Sequence, residues 1–264
     1  MNEEIHYLVG REQLKIVQSK ESFSFSLDSV LLPNFVTINL RAKQILDIGC
    51  GNAPIPLILS ERSSAKITGV EIQKKSYEYA KKSILLNHKE QQINIVNDDI
   101  KHYAKQFDHE FYDIITCNPP YFNHKSTSIV NQFEQKTIAR HEKTLNLEDI
   151  MKISRKLLKN NGILALVHRP ERFIDIVTLM RKNNIEPKKV LFIFPKKGRD
   201  ANILLIEGTK NGKPGLKILD PIYSHNEKNE YTDELKKLLR MGWYNDTKKL
   251  WGWRSSLFDS NTNW

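Results

Sequence analysis

The sequence predicts an α/β protein built on a twisted, mostly parallel sheet with helices on both faces. Short apolar runs of strand length, at 44–48, 66–70, 92–96, from Tyr112 onward, and at 163–167, 190–194 and 202–206, alternate with segments of helical period. The first run ends in the glycine-rich turn Asp47-Ile48-Gly49-Cys50-Gly51-Asn52, where nucleotide-binding sheets let the backbone approach a ligand. The second ends in Glu71, about twenty residues further on, where an acidic side chain can accept both ribose hydroxyls of an adenosine.

With 264 residues, 39% of them hydrophobic, the chain can bury the core of one α/β domain with a small appendage. No apolar run has the length of a membrane span, and the charged start Met1-Asn2-Glu3-Glu4 lacks a signal-peptide core, so a cytoplasmic protein without membrane contact is expected. The eight histidines are scattered, with no Cys/His spacing of a zinc site, so no metal is expected. Cys50 and Cys117 each close a predicted strand in one cleft and read as small buried residues, not as a disulfide. The net charge of +10 suits a polyanion such as RNA, although a lysine-, asparagine- and isoleucine-rich composition can supply part of that excess.

In chain order, alternation through Leu14, Ile16, Phe23, Phe25 and Leu27, with Ser19–Ser22 between, predicts a hairpin or two short extended pieces within 10–27. Asp28 or Ser29 then caps a helix carrying Val30, Leu31, Leu32, Phe35 and Val36. After the glycine turn, Ala53 and Pro54 stand where a dinucleotide-binding fingerprint needs its last glycine, and a proline removes an N–H that would face phosphate. A pyrophosphate clamp is therefore disfavoured. Tyr77, Ala80, Ile84 and Leu85 give a sheet-packing helix, and the run 92–96 leads to Asp98 and Asp99, either of which can cap a helix. A helix over 146–159, closed by Asn160-Asn161-Gly162, and another over 171–182 follow, and the short Pro195–Ala201 link makes the last two strands antiparallel.

The strand from Tyr112 runs into Asn118-Pro119-Pro120-Tyr121-Phe122. Each proline fixes its own φ, and Pro120 restricts the residue before it, so the Asn118 side-chain oxygen and the Pro119 carbonyl sit on stiff backbone. Together they can accept both hydrogens of one primary amine, while Tyr121 lays its ring on a flat base. A plain strand-ending turn is the competing reading. Asn118-Pro119-Pro120-Tyr121, preceded by Ile45–Gly51, resembles the amino-group branch of the S-adenosylmethionine-dependent methyltransferases. The run Phe23-Ser24-Phe25-Ser26-Leu27-Asp28-Ser29-Val30-Leu31-Leu32 is similar to the opening of bacterial tRNA1(Val) adenine-37 N6-methyltransferases, and the likeness covers roughly residues 10 to 235.

The resemblance implies a Rossmann-like class I methyltransferase fold with seven strands and an antiparallel last strand. It implies S-adenosylmethionine held by Asp47, Gly49, Cys50, Gly51, Glu71, Ile72, Asp99, Ile100 and Asn118, with Asp28 in a segment lying over it. It further implies catalysis at Asn118, Pro119, Pro120 and Tyr121, and a tRNA placed by Tyr121, Phe122, Arg140 and His141. The basic tip Lys196-Lys197-Gly198-Arg199 is a candidate phosphate contact or a solvated turn. Enzymes that methylate a glutamine amide in release factors, rRNA or DNA adenine methyltransferases, and a non-catalytic RNA-binding protein are the alternatives. The expected division is a cover at 1–43, the methyltransferase domain at 44–235 and an extension at 236–264. All four tryptophans (Trp243, Trp251, Trp253, Trp264) fall in that extension, among basic residues that suit either packing or RNA.

Overall fold

The computed structural model describes residues 3–19, 26–119 and 145–241. Pro120, Tyr121, Phe122, Arg140, His141, Phe23, Phe25 and the four tryptophans lie outside the described residues.

Strands β1 (Glu3–Leu8) and β2 (Arg11–Ser19) form an antiparallel hairpin. This hairpin precedes the expected one, whose connection at residues 20–22 lies outside the described residues; the chain reverses at Val9-Gly10, because Gly10 takes the left-handed φ of 74° that the turn needs. Helix α1 (Leu27–Phe35) starts from Ser26, so Asp28 and Ser29 stand inside its first turn and do not cap it. The Ser29 hydroxyl instead donates back to the Ser26 carbonyl at 2.7 Å.

The main sheet contains β3 (Gln44–Ile48), β4 (Lys66–Glu71), β5 (Ile93–Asn97), β6 (Tyr112–Cys117), β7 (Leu158–His168), β8 (Ile185–Phe194) and β9 (Ile203–Lys210). Its order is β8-β9-β7-β6-β3-β4-β5, parallel except for β9, which runs antiparallel between β7 and β8. Two short strands, β10 (Lys217–Ile218) and β11 (Ile222–Tyr223), pair parallel with the outer edge of β8 and extend the expected seven strands to a 9-stranded sheet. Near-continuous burial along the central strands reflects coverage of both faces. On one face the core joins α1, α2 (Pro54–Arg62), α3 (Lys74–Leu86) and α7 (Asp233–Met241). On the other it joins α4 (Ile100–Tyr103), α5 (Leu147–Leu157) and α6 (Phe173–Lys182).

Asn146 opens α5 with a reciprocal capping box, its side chain accepting from the Asp149 N–H at 2.9 Å. The expected close at Asn160–Gly162 is corrected: α5 ends at Leu157, and residues 160–162 belong to β7. Gly162 serves close packing there, since a Cβ would stand 2.8 Å from the Lys159 carbonyl oxygen.

The cover is pinned to the sheet by a buried polar cluster. Glu207 on β9 accepts from the Thr37 N–H (2.9 Å) and hydroxyl (2.7 Å). Lys189 on β8 stands 3.0 Å from Glu207 and donates to the Phe35 carbonyl at 2.9 Å and to Thr37 Oγ1 at 2.7 Å.

Candidate active site

The parallel strands bring Asp47, Glu71, Asn97–Asp99 and Asn118 to one edge of the sheet, at the carboxyl ends of β3, β4, β5 and β6, where open α/β sheets bind ligands. After β3 the chain turns through Gly49 (φ 68°), Gly51 (φ 56°) and Ala53 (φ 72°), and Pro54 is the first residue of α2. A Cβ built on Gly49 or Gly51 meets nothing within 4 Å, so both glycines face open space.

Glu71 fastens this turn. Its Oε2 accepts from the Gly51 N–H at 2.9 Å and its Oε1 from the Gln73 N–H at 2.7 Å. Each carboxylate oxygen has a second lone pair, so these bonds still allow ribose hydroxyls to donate to it. Ile72, next in the chain, is 45% exposed although apolar, which suits a surface awaiting a flat ring. Asp99 is the N-cap of α4, accepting from the Lys101 N–H at 2.8 Å, while Asp98 accepts from the Asp99 N–H at 2.8 Å. Ile100 is buried behind them.

Asp47 is fully buried; its Oδ1 accepts from the Thr116 hydroxyl at 2.7 Å, and its Oδ2 has no hydrogen-bond partner among the described residues. Burial pushes its pKa up to about 8; the Thr116 bond opposes the shift and the neighbouring Glu71 charge adds to it. A half-satisfied buried carboxyl beside open backbone fits a ligand carrying positive charge. Thr116 was legible only as one polar residue inside an apolar run. Cys50 and Cys117 are buried free thiols, and burial raises both pKa values well above the ordinary thiol range.

Asn118 is half-buried and Pro119 buried, directly after β6. One strand over, Leu166 pairs with Cys117, so His168 at the end of β7 stands level with Pro119. His168 was missed by sequence reasoning; its signal is a polar residue closing an apolar strand at the site's edge. Burial, then the Arg172 charge, lowers its pKa to about 4, and its Nδ1 accepts from the Arg169 N–H at 2.8 Å, which leaves the neutral ring's hydrogen on Nε2. Asp28 is buried, which raises its pKa, while Arg169 pulls it back down. The Lys196–Arg199 tip follows β8 at this same edge, with Gly198 at φ 76°. Among the described residues no group of three His, Cys, Asp or Glu side chains could hold a metal, and no helix is long and apolar enough to cross a membrane.

Residues 17–184 match the methyltransferase small domain family. The chain belongs to that family. It is 28% identical over 231 residues to a tRNA1(Val) (adenine(37)-N6)-methyltransferase of Bacteroides fragilis, covering 87% of this chain and 94% of the relative. A Flavobacterium psychrophilum protein of the same name is 30% identical over 182 residues, covering 68% of this chain and 75% of the relative. The resemblance read from residues 23–32 and 118–121 is thereby borne out. Among solved structures, an Agrobacterium tumefaciens protein described as a predicted O-methyltransferase superposes with a TM-score of 0.64 at 20% identity, covering 81% of this chain and 97% of that one. P. horikoshii TYW2, solved in complex with MeSAdo, gives 0.55 at 13% identity, covering 80% and 72%. These likenesses carry the fold, which is that of the class I methyltransferases.

Proposed function

We propose that this protein transfers the methyl group of S-adenosylmethionine to the exocyclic N6 of an adenine in RNA, adenine 37 of a tRNA as in the named relatives, in the cytoplasm. The observation that carries the reading is the coincidence of two half-sites on adjoining strand ends. Asp47 and Glu71 border open glycine backbone, and Asn118-Pro119 follows the neighbouring strand. When bound, S-adenosylmethionine supplies an electrophilic methyl on a sulfonium. Asp47 Oδ2 meets positive charge, Glu71 takes the ribose hydroxyls, and Ile72, Asp99 and Ile100 border the adenine.

The adenine N6 lone pair is delocalised into the ring, which makes that nitrogen a poor nucleophile. Accepting its two hydrogens at the Asn118 side-chain oxygen and the Pro119 carbonyl favours a pyramidal nitrogen whose lone pair is free to attack. No general base is required for attack: the N6–C bond would form as the sulfonium S–C bond breaks, leaving S-adenosylhomocysteine, and the methylated nitrogen then gives its extra proton to water. Pro120 stiffens the loop, and Tyr121 and Phe122, by their place in the motif, stack on the base once it leaves its own stack. Arg140, His141, Lys196, Lys197 and Arg199 are the candidate RNA contacts.

Single-turnover methyl transfer to unmodified tRNA tests this. Asn118→Ala should lower the rate on the order of 10²-fold or more, about 2.7 kcal/mol, with far less change in cofactor affinity. Transfer at the parental rate would reduce Asn118-Pro119 to a turn.

A further inference from the structure

Outside the site, α4 and α5 enclose a groove of about 220 Å³ on one face of the sheet, lined by Lys101, Ala104, Lys105, Asp149, Lys152, Ile153 and Lys156. Its floor is apolar, with Ala104 4% and Ile153 9% exposed. Its walls carry Lys101 on α4 and Lys105 on the 3-10 turn Ala104–Gln106 that continues it, facing Lys152 and Lys156, an i,i+4 pair on one face of α5.

These lysines differ in what already holds them. Lys101 is paired with Asp149 at 2.7 Å, and Lys156 donates to the Ala104 carbonyl at 2.8 Å, so both brace the walls. Lys152 forms an exposed pair with Glu148 at 3.2 Å, one helical turn away, which contributes little. Lys105 is exposed and pairs with no carboxylate among the described residues. Asp149 is the groove's only lining acid among the described residues, and it is consumed by Lys101 and by the capping box. The groove therefore offers uncompensated positive charge over a fitted apolar floor.

Its place in the fold selects the occupant. Helix α4 opens at Asp99, on the cofactor edge, and α5 opens just after the segment that follows Asn118. Helix α4 packs on β4 and α5 on β7, so the groove between them lies over β3 and β6, the strand that ends at Asn118, while the Lys196–Arg199 tip stands at the same sheet edge beyond β7. We infer that this groove holds backbone phosphates of the RNA whose base enters the site, with Lys105 and Lys152 making the contacts and Lys101 and Lys156 fixing the walls. The inference rests on the RNA reading above and adds a second anchoring surface to it.

The test compares the full-length protein with its Lys105→Ala/Lys152→Ala variant in tRNA binding across a salt series, alongside methyl transfer and S-adenosylmethionine titration. Two lost phosphate contacts should flatten the slope of log K against log salt by about 1.4 to 1.8 and weaken binding roughly tenfold or more near 0.1 M salt. Cofactor affinity and thermal unfolding should hold, since both side chains are exposed. A Lys105→Glu variant should weaken binding at least as much as Lys105→Ala. If the parent methylates tRNA and the variant keeps the parental slope, the groove is only solvated lysine and the inference is overturned while the activity stands. If the parent leaves tRNA unmethylated, the activity reading fails and the groove's assignment fails with it.

Discussion

Asp47 on β3 and Glu207 on β9 are both buried carboxyl groups of one sheet, with β6 and β7 between them, and their surroundings differ in kind. Glu207 accepts from a backbone N–H, from a hydroxyl and from the Lys189 ammonium, whereas Asp47 has one hydroxyl donor for two oxygens. Burial lowers the Lys189 pKa and the Glu207 charge pulls it part of the way back, so the pair offsets part of its own desolvation. At Asp47 the single Thr116 bond offsets less of that cost and the pKa rises to about 8. A completed set of partners makes a clamp that holds residues 35–37 on the sheet; the incomplete set at Asp47 supports the cofactor contact proposed for it.

Breaking the clamp should give the largest effect. Glu207→Ala strands the Lys189 ammonium, and denaturant unfolding should show a loss of roughly 3–5 kcal/mol. Cofactor affinity of the folded fraction should change little, and a collapse of that affinity without loss of stability would invert the comparison.

Asp47→Asn should do the opposite. Removing a half-paired buried carboxyl should leave stability unchanged or raise it by about 1–3 kcal/mol, while S-adenosylmethionine binding weakens roughly tenfold, about 1.4 kcal/mol. Calorimetric titration and thermal melts of one preparation decide between the two roles.

The smallest effect sharpens the comparison by pH. Because the folded-state pKa of Asp47 lies near 8 and the ordinary value is 3.8, the native protein binds the extra proton; its contribution to stability is full below 3.8 and is lost as pH rises through 8. A ligand that needs the carboxylate must expel that proton. Affinity should then climb with pH up to about 8, by at most about tenfold per unit, with proton release at pH 7 visible as a buffer-dependent binding enthalpy. Equal enthalpies in buffers of different ionisation heat would remove Asp47 from the ligand's charge.

The central sheet was readable because parallel strands buried on both faces give uninterrupted apolar runs; β3 spans 44–48 as expected and β4 ends in Glu71. Asn118 and Pro119 directly after β6 were readable because a polar residue and prolines end an apolar strand; the rest of that loop lies outside the described residues. The α5–β7 boundary was not, since Asn160-Asn161-Gly162 spells a helix stop while tight packing against the β6 side asks for the same glycine. The hairpin turn at Gly10 was hidden by alternation that continues past it. His168 and Thr116 were missed because one polar residue in an apolar run carries no period, and the lysine groove because two helices far apart in sequence form it.

Strand β9 carries a consequence for synthesis. It fills the slot between β7 and β8, so until residues 203–210 have been made β7 is paired on its β6 side alone and β8 has no neighbour. At about 5–20 residues per second, the apolar edge of β7 waits some 2–8 s after the ribosome adds His168. Everything assigned to methyl transfer on β3 to β6 is already translated by then, held in a nascent half-sheet with an open side. Chaperone occupancy on ribosome-bound chains should therefore rise after residue 168 and fall once β9 has cleared the exit tunnel.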